Sequence, residues 1–169
     1  TDSVLAGAGN DRIVVAARSG LPGRAFIAAK YTNAVDNDSI NLTANAQFIT
    51  PSVGADNDTV NAGDGNNTVF TGTGNDSVIS GSGNDYINVS TGLWEFLPPT
   101  GQSPVPSGNN TVVAGDGNNT VIAGWGNDSI ITGNGNDTIV ASNGNNTVRS
   151  NAGNDVIVMG NGKDGVIAG

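Results

Sequence analysis

The chain has 169 residues, 15 of them acidic and 6 basic, for a net charge of −9. It contains no Cys and no His. Disulfides, thiolate or imidazole metal centres and His-based catalysis are thereby excluded, and so acidic a balance argues against a nucleic-acid partner. No apolar run is long enough to make a transmembrane segment.

A nine-residue repeat organises the chain, and its positions are numbered 1 to 9 here. Residues 1–14 open on TDSVL, which fits positions 5 to 9, with Asp2 at position 6 and Val4 at position 8. A full repeat follows, with Asp11 and Ile13 in the same places. Residues 15–33 lack the Gly-Asn-Asp turn, yet Asp11 and Asp38 are three periods apart, which predicts degenerate coils there. Arg18, Arg24 and Lys30 lie in this segment, as solvated loop charges or as local cations facing an acidic surface. Residues 34–41 partly rejoin the pattern. Residues 53–88 hold it well, as in AGDGNNTVF (62–70), TGTGNDSVI (71–79) and SGSGNDYIN (80–88).

Residues 89–107 (VSTGLWEFLPPTGQSPVPS) carry four prolines with Trp94 and Phe96. Proline cannot donate to a strand ladder, so this segment is expected to leave the stack, its aromatic rings folding back over a coil or docking on a neighbour. The repeat then runs unbroken from 114 to 167, as in TGNGNDTIV (132–140) and ASNGNNTVR (141–149).

Glycines at positions 2 and 4 allow positive φ and a tight turn. A β-branched residue at position 8 favours a short strand with one inward side chain. Two repeats make a coil of about eighteen residues, and coils stack at about 4.8 Å. The chain therefore reads as all-β, a parallel β-solenoid of about nine coils, forming a single domain over 1–169 with interruptions at 15–33 and 89–107. Position 8 supplies the inner stripe (Ile13, Ile40, Val60, Val69, Val78, Ile87, Val112, Val121, Ile130, Ile139, Val148, Ile157, Val166), and small residues at position 1 suit a thin interior. One such side chain per nine residues does not offset the entropy of ordering the turns, so another source of cohesion is expected.

The carboxylates are the candidate. Fourteen of the fifteen acidic residues are Asp, and ten of these stand at position 6. On stacked coils, carboxylates eighteen residues apart lie above one another and repel unless a cation intervenes. A hard divalent cation with six to eight oxygen ligands fits, with glycine-turn carbonyls completing its shell. Magnesium prefers to keep several waters, and zinc has no His or Cys to bind here.

These residues resemble the glycine-rich, calcium-binding nonapeptides of RTX (hemolysin-type) proteins, G-G-x-G-x-D-x-U-x. The resemblance covers roughly 53–88 and 105–169 well, and 1–14 and 34–41 in part. It implies a right-handed parallel β-roll holding several Ca2+ ions between successive turns. Side-chain oxygens would come from Asp11, Asp38, Asp58, Asp76, Asp85, Asp128, Asp137, Asp155 and Asp164. Backbone carbonyls would come from Gly63, Gly72, Gly81, Gly124 and Gly133. The spacing makes Asp58/Asp76 and Asp137/Asp155 the best sites. Position 6 is Asn at Asn67, Asn110, Asn119 and Asn146, where weaker sites or hydrogen-bonded turns are expected.

Position 9 carries Phe70, Ile79, Val113, Ile122, Ile131, Val140, Val158 and Ile167, which would form apolar stripes on the outer faces. No polar cap is recognisable at either end, which predicts a piece of a longer array or copies stacked end to end. Self-association, head-to-tail and lateral, is the expected partnership. The absence of an initiating Met and of a signal peptide suits a processed product or a fragment. Numerous weak calcium sites suit an extracellular or cell-surface setting. Asn66, Asn118, Asn136 and Asn145 stand in glycosylation sequons that the repeat itself generates.

Three functions compete. The first is a calcium-stiffened structural segment of a filament, surface layer or adhesin stalk. The second is a β-roll module of a secreted enzyme whose chemistry lies elsewhere, since this chain offers no catalytic constellation. The third is ice binding, disfavoured by Trp125, Asp64 and Asp116 at position 3.

Overall fold

A computed structural model describes the strand segments 2–6, 12–15, 25–29, 39–42 and 46–50, and all of residues 57–90 and 108–169. Side chains are described in the last two stretches and at Arg12. Every described element is a strand. They are β1 (Asp2–Ala6), β2 (Arg12–Val15), β3 (Ala25–Ala29), β4 (Ser39–Leu42), β5 (Ala46–Thr50), β6 (Thr59–Gly63), β7 (Thr68–Phe70) and β8 (Ser77–Ser80). There follow β9 (Tyr86–Asn88), β10 (Thr111–Ala114), β11 (Thr120–Gly124), β12 (Ser129–Thr132), β13 (Thr138–Ala141), β14 (Thr147–Asn151), β15 (Val156–Met159) and β16 (Gly165–Ala168).

Odd-numbered strands form one eight-stranded sheet and even-numbered strands another. Each strand pairs in parallel with the strand two along, as in Thr111↔Ser129 and Thr120↔Thr138. The chain therefore crosses from sheet to sheet once per repeat, and the fold is a parallel β-solenoid. The stretches with described side chains make about five turns of it.

Side chains alternate along each strand as the pleat requires. Positions 6, 8 and 1 point inward and positions 7 and 9 outward. The position 8 residues Val60, Val69, Val78, Ile87, Val112, Val121, Ile130, Ile139 and Val148 are completely or almost completely buried. In the last coil Ile157 is half-buried and Val166 is 47% exposed, because no further rung covers them. The side chains of Ile13 and Ile40 lie outside the described residues. Ala62, Thr71, Ser80, Ala114, Ala123, Thr132, Ala141 and Ser150 at position 1 are buried beside them. The outward reading of position 9 holds, with Ile79 49% exposed and Ile131 41% exposed. Val113 pairs with both, so the three make one apolar stripe on the even-stranded sheet.

The expected nine coils are corrected: the described strands number eight per sheet. Two stretches spend well over eighteen residues on one coil. Arg12 pairs with Ser39, so the 27 residues from Asp11 to Asp38 advance the stack by one coil and not by three half-coils. Likewise Ser77 pairs with Thr111, and Tyr86 with Thr120, so the stack closes over the proline-rich segment in register. Trp94, Phe96, Arg18, Arg24 and Lys30 lie outside the described residues.

The glycine expectation holds at position 4 and is corrected at position 2. Nine position 4 glycines from Gly65 to Gly153 have positive φ, but at position 2 only Gly63, Gly72 and Gly124 do among the described glycines. Elsewhere backbone proximity favours glycine: a Cβ on Gly115 would lie 2.3 Å from the carbonyl oxygen of Gly81. Asn151 stands at position 2 with φ 52°, a left-handed conformation that Asn tolerates.

Candidate metal centres

Position 6 lies where each turn enters its strand, and the alternation that buries position 8 buries it too. Asp58, Asp76, Asp85, Asp128 and Asp137 are at most 3% exposed. Asp155 and Asp164 are half-buried. Asp11 and Asp38 lie outside the described residues. Such burial of a row of carboxylates demands an account, because an ionised group taken from water is costly without a partner.

Part of that account is a ladder. From Asp76 to Asp164, the Oδ1 of each position 6 residue accepts the backbone N–H of the position 6 residue one coil earlier. Asp58 N donates to Asp76 Oδ1 at 3.0 Å, Asn119 N to Asp137 Oδ1 at 2.8 Å and Asp137 N to Asp155 Oδ1 at 3.0 Å. The ladder crosses the proline-rich segment intact, through Asp76 N to Asn110 Oδ1 and Asp85 N to Asn119 Oδ1, both at 3.0 Å. One side of the roll therefore reads Asp58, Asp76, Asn110, Asp128, Asn146, Asp164. The other reads Asn67, Asp85, Asn119, Asp137, Asp155. The spacing had joined Asp58 with Asp76, and Asp137 with Asp155, but not the two halves across residues 89–107.

The second carboxylate oxygen is a different matter. Asp85 Oδ2 and Asp137 Oδ2 are buried and accept no hydrogen bond. Burial pushes the Asp85 carboxyl above its ordinary 3.8, opposed by the nearby Ser80 hydroxyl and by Asn67, with Asp64 adding repulsion. Ser80 Oγ is close enough to favour the charged form yet makes no hydrogen bond of good geometry. In the Asp76 turn, by contrast, the Thr71 hydroxyl donates to Oδ2 at 2.5 Å.

The asparagine turns show what the same place looks like when satisfied. Asn67 Nδ2 donates to the carbonyls of Gly63 at 2.9 Å and Gly65 at 3.0 Å. Asn119 Nδ2 does so to Gly115 at 2.9 Å and Gly117 at 3.2 Å. Positions 2 and 4 thus aim carbonyl oxygens at the outer atom of the position 6 side chain. Where that atom is a carboxylate oxygen, the set is all oxygen, the donor type that a hard cation takes. Among the described residues, no group of three or more His, Cys, Asp or Glu side chains converges. Each turn brings one carboxylate, and the remaining donors are backbone.

A second ladder escaped sequence reasoning. Asn at position 5 points outward, and its Oδ1 accepts the position 5 N–H one coil later, as from Asn75 to Asn57 at 2.7 Å and from Asn136 to Asn118 at 2.7 Å. It runs along both edges, in the opposite sense to the position 6 ladder. The signal was present as the near-invariant Asn at position 5, which turn propensity alone had seemed to explain. The sequon residues Asn66, Asn118, Asn136 and Asn145 belong to it.

The fold defines a parallel β-solenoid with glycine turns and inward position 6 carboxylates. The family model for the RTX calcium-binding nonapeptide repeat matches in four copies, over residues 1–16, 52–87, 107–139 and 131–166. Those matches cover more than half of the chain, which belongs to the RTX calcium-binding nonapeptide repeat family. Comparison with curated proteins and with solved structures gave no significant match.

Proposed function

We propose that this chain is a calcium-stabilised structural module of an extracellular filament, surface layer or adhesin stalk. The observation that carries the calcium reading is the buried, donorless Oδ2 of Asp137 in a glycine turn of a family whose repeats bind calcium. When bound, calcium would supply the positive charge that the oxygens of the turns coordinate. The chain's own residues do the rest. Asp85, Asp137 and their counterparts Asp58, Asp76, Asp128, Asp155 and Asp164 present Oδ2, with Gly72, Gly81, Gly124 and Gly133 offering carbonyls. The stacked strands hold those groups at fixed spacing. The carbonyl of Gly63 already accepts from Asn67 Nδ2 and from Gly81 N, so its turn is not proposed to hold a cation.

Two features favour a structural role over an appendage to an enzyme. The outward stripe Ile79–Val113–Ile131 suits lateral contact between rolls, and the parallel ladders suit head-to-tail continuation. Among the described residues no helix is long and apolar enough to cross a membrane.

Circular dichroism during calcium titration, followed by chelation, tests the reading. Gain of β signal with several ions bound per chain, and its loss on chelation, is the expected result. Equal spectra and melting curves in calcium and in chelator would refute it. Electron microscopy under the same two conditions separates a calcium-dependent filament from a monomeric module.

A further inference from the structure

We infer that asparagine at position 6 is a built-in substitute for the cation, so that only the aspartate turns take calcium and the roll is a mixed stack of metal-filled and amide-filled turns. The inference rests on the calcium reading above. Its ground is the contrast between two turns one coil apart on the same side of the roll. The strands that follow them, β11 and β13, pair in register through Thr120↔Thr138 and Val121↔Ile139, so the turns superpose. In one, Asn119 Nδ2 donates to the carbonyls of Gly115 and Gly117 at 2.9 and 3.2 Å. In the other, Asp137 Oδ2 occupies the equivalent place, buried and with no donor, where Gly133 and Gly135 hold positions 2 and 4.

Asn and Asp have the same shape, and both use Oδ1 identically. Asp85 N donates to Asn119 Oδ1 at 3.0 Å, and Asn119 N to Asp137 Oδ1 at 2.8 Å. The exchange therefore alters one atom, at the focus of two carbonyls. An NH2 group there is two donors meeting two acceptors, which is complete without metal. It also bars the metal, since a hard cation takes oxygen and not an amide nitrogen. The pattern recurs at Asn67 and, with longer contacts of 3.1 and 3.4 Å to Ser142 and Gly144, at Asn146. Asn110 uses its amide similarly on Gly108, Val89 and Ala123.

Position 1 varies in step. Ala62, Ala114 and Ala141 precede the amide turns of Asn67, Asn119 and Asn146, whereas hydroxyls at Thr71, Ser80, Thr132 and Ser150 precede Asp76, Asp85, Asp137 and Asp155. Ala6 before Asp11, Asn33 before Asp38, Val53 before Asp58, Ala123 before Asp128 and Met159 before Asp164 depart from this rule, which therefore holds for only part of the chain. The amide turns interrupt the carboxylate rows, so that among the described residues no more than two aspartates follow one another on either side.

Calcium stoichiometry by equilibrium dialysis, on the full chain and on Asn119→Asp and Asp137→Asn, tests this. Asn119→Asp should bind one ion more than the parent and Asp137→Asn one fewer, with β signal in calcium retained by both. An unchanged count in either folded variant overturns the inference while leaving the calcium reading intact. A parent that binds no calcium overturns both. Side-chain amide exchange by NMR on the folded chain in calcium gives an independent readout that needs no variant. The Asn119 NH2 protons should exchange at least about tenfold more slowly than those of the exposed Asn118. Equal rates would show that the amide is not engaged and would likewise overturn the inference.

Discussion

The position 6 residue has two jobs, and its atoms divide them. The backbone nitrogen and Oδ1 belong to the ladder, and the outer atom decides what fills the turn. Asp85 makes the division measurable, because burial holds its carboxyl above the ordinary 3.8. The folded chain then holds that proton more tightly than the unfolded chain does. The resulting stability is fully present below 3.8 and is lost as pH rises through the raised value. In chelator, acidification from neutral pH should therefore return part of the β signal that chelation removes. In calcium the sign should reverse, because protons compete with the cation for the carboxylate. Circular dichroism across that range in both conditions checks it, and parallel pH slopes would count against a cation at Asp85. This burial was hidden from sequence reading for a physical reason. Asp and Asn after Gly are ordinary solvent-facing turn residues, and that expectation masked the period-two phase linking positions 6, 8 and 1. The phase was there to be read backward from the apolar position 8.

At the scale of the turn and its strand, the constraint is closeness of backbones. Gly135 has φ +142°, and a Cβ there would lie 2.0 Å from the carbonyl oxygen of Gly117. Gly135→Ala should cost roughly 1–3 kcal/mol from the backbone conformation alone, with the clash adding to it. Gly165 is the control, since a Cβ there meets nothing within 4 Å. Gly165→Ala should stay within about 0.5 kcal/mol of the parent. Chemical denaturation of both in calcium is the measurement. The strands themselves were the most legible part of the chain, because one β-branched residue per period fixes both their place and their inward face. The path between them was less so. The coil that spends 34 residues between Asp76 and Asn110 where its neighbours spend 18 shows in the sequence as a break in the period, but the register across that break is revealed only by strand pairing.

Over the whole molecule, cohesion passes from rung to rung, since each strand pairs only with those two before and two after. Stability is then close to a sum of neighbour terms, and a local loss can be compensated by ligand binding elsewhere. A site filled at about 100 times its dissociation constant adds about 2.7 kcal/mol. Ile139→Ala, at a fully buried position, should cost about 2–5 kcal/mol. Several filled sites offset that, so the variant should be folded in calcium and unfolded in chelator by circular dichroism. An Ile139→Ala chain equally folded in both would mean that calcium contributes little to the roll.

The position 5 and position 6 ladders run in opposite senses, and this has a geometric outcome. At any junction between rungs, the lower side offers position 5 oxygens and position 6 N–H groups, while the upper side offers position 5 N–H groups and position 6 oxygens. Upper and lower surfaces are thus complementary to each other and mismatched to themselves. Copies joined through this pattern would all point the same way, and a two-fold dimer built on it is ruled out.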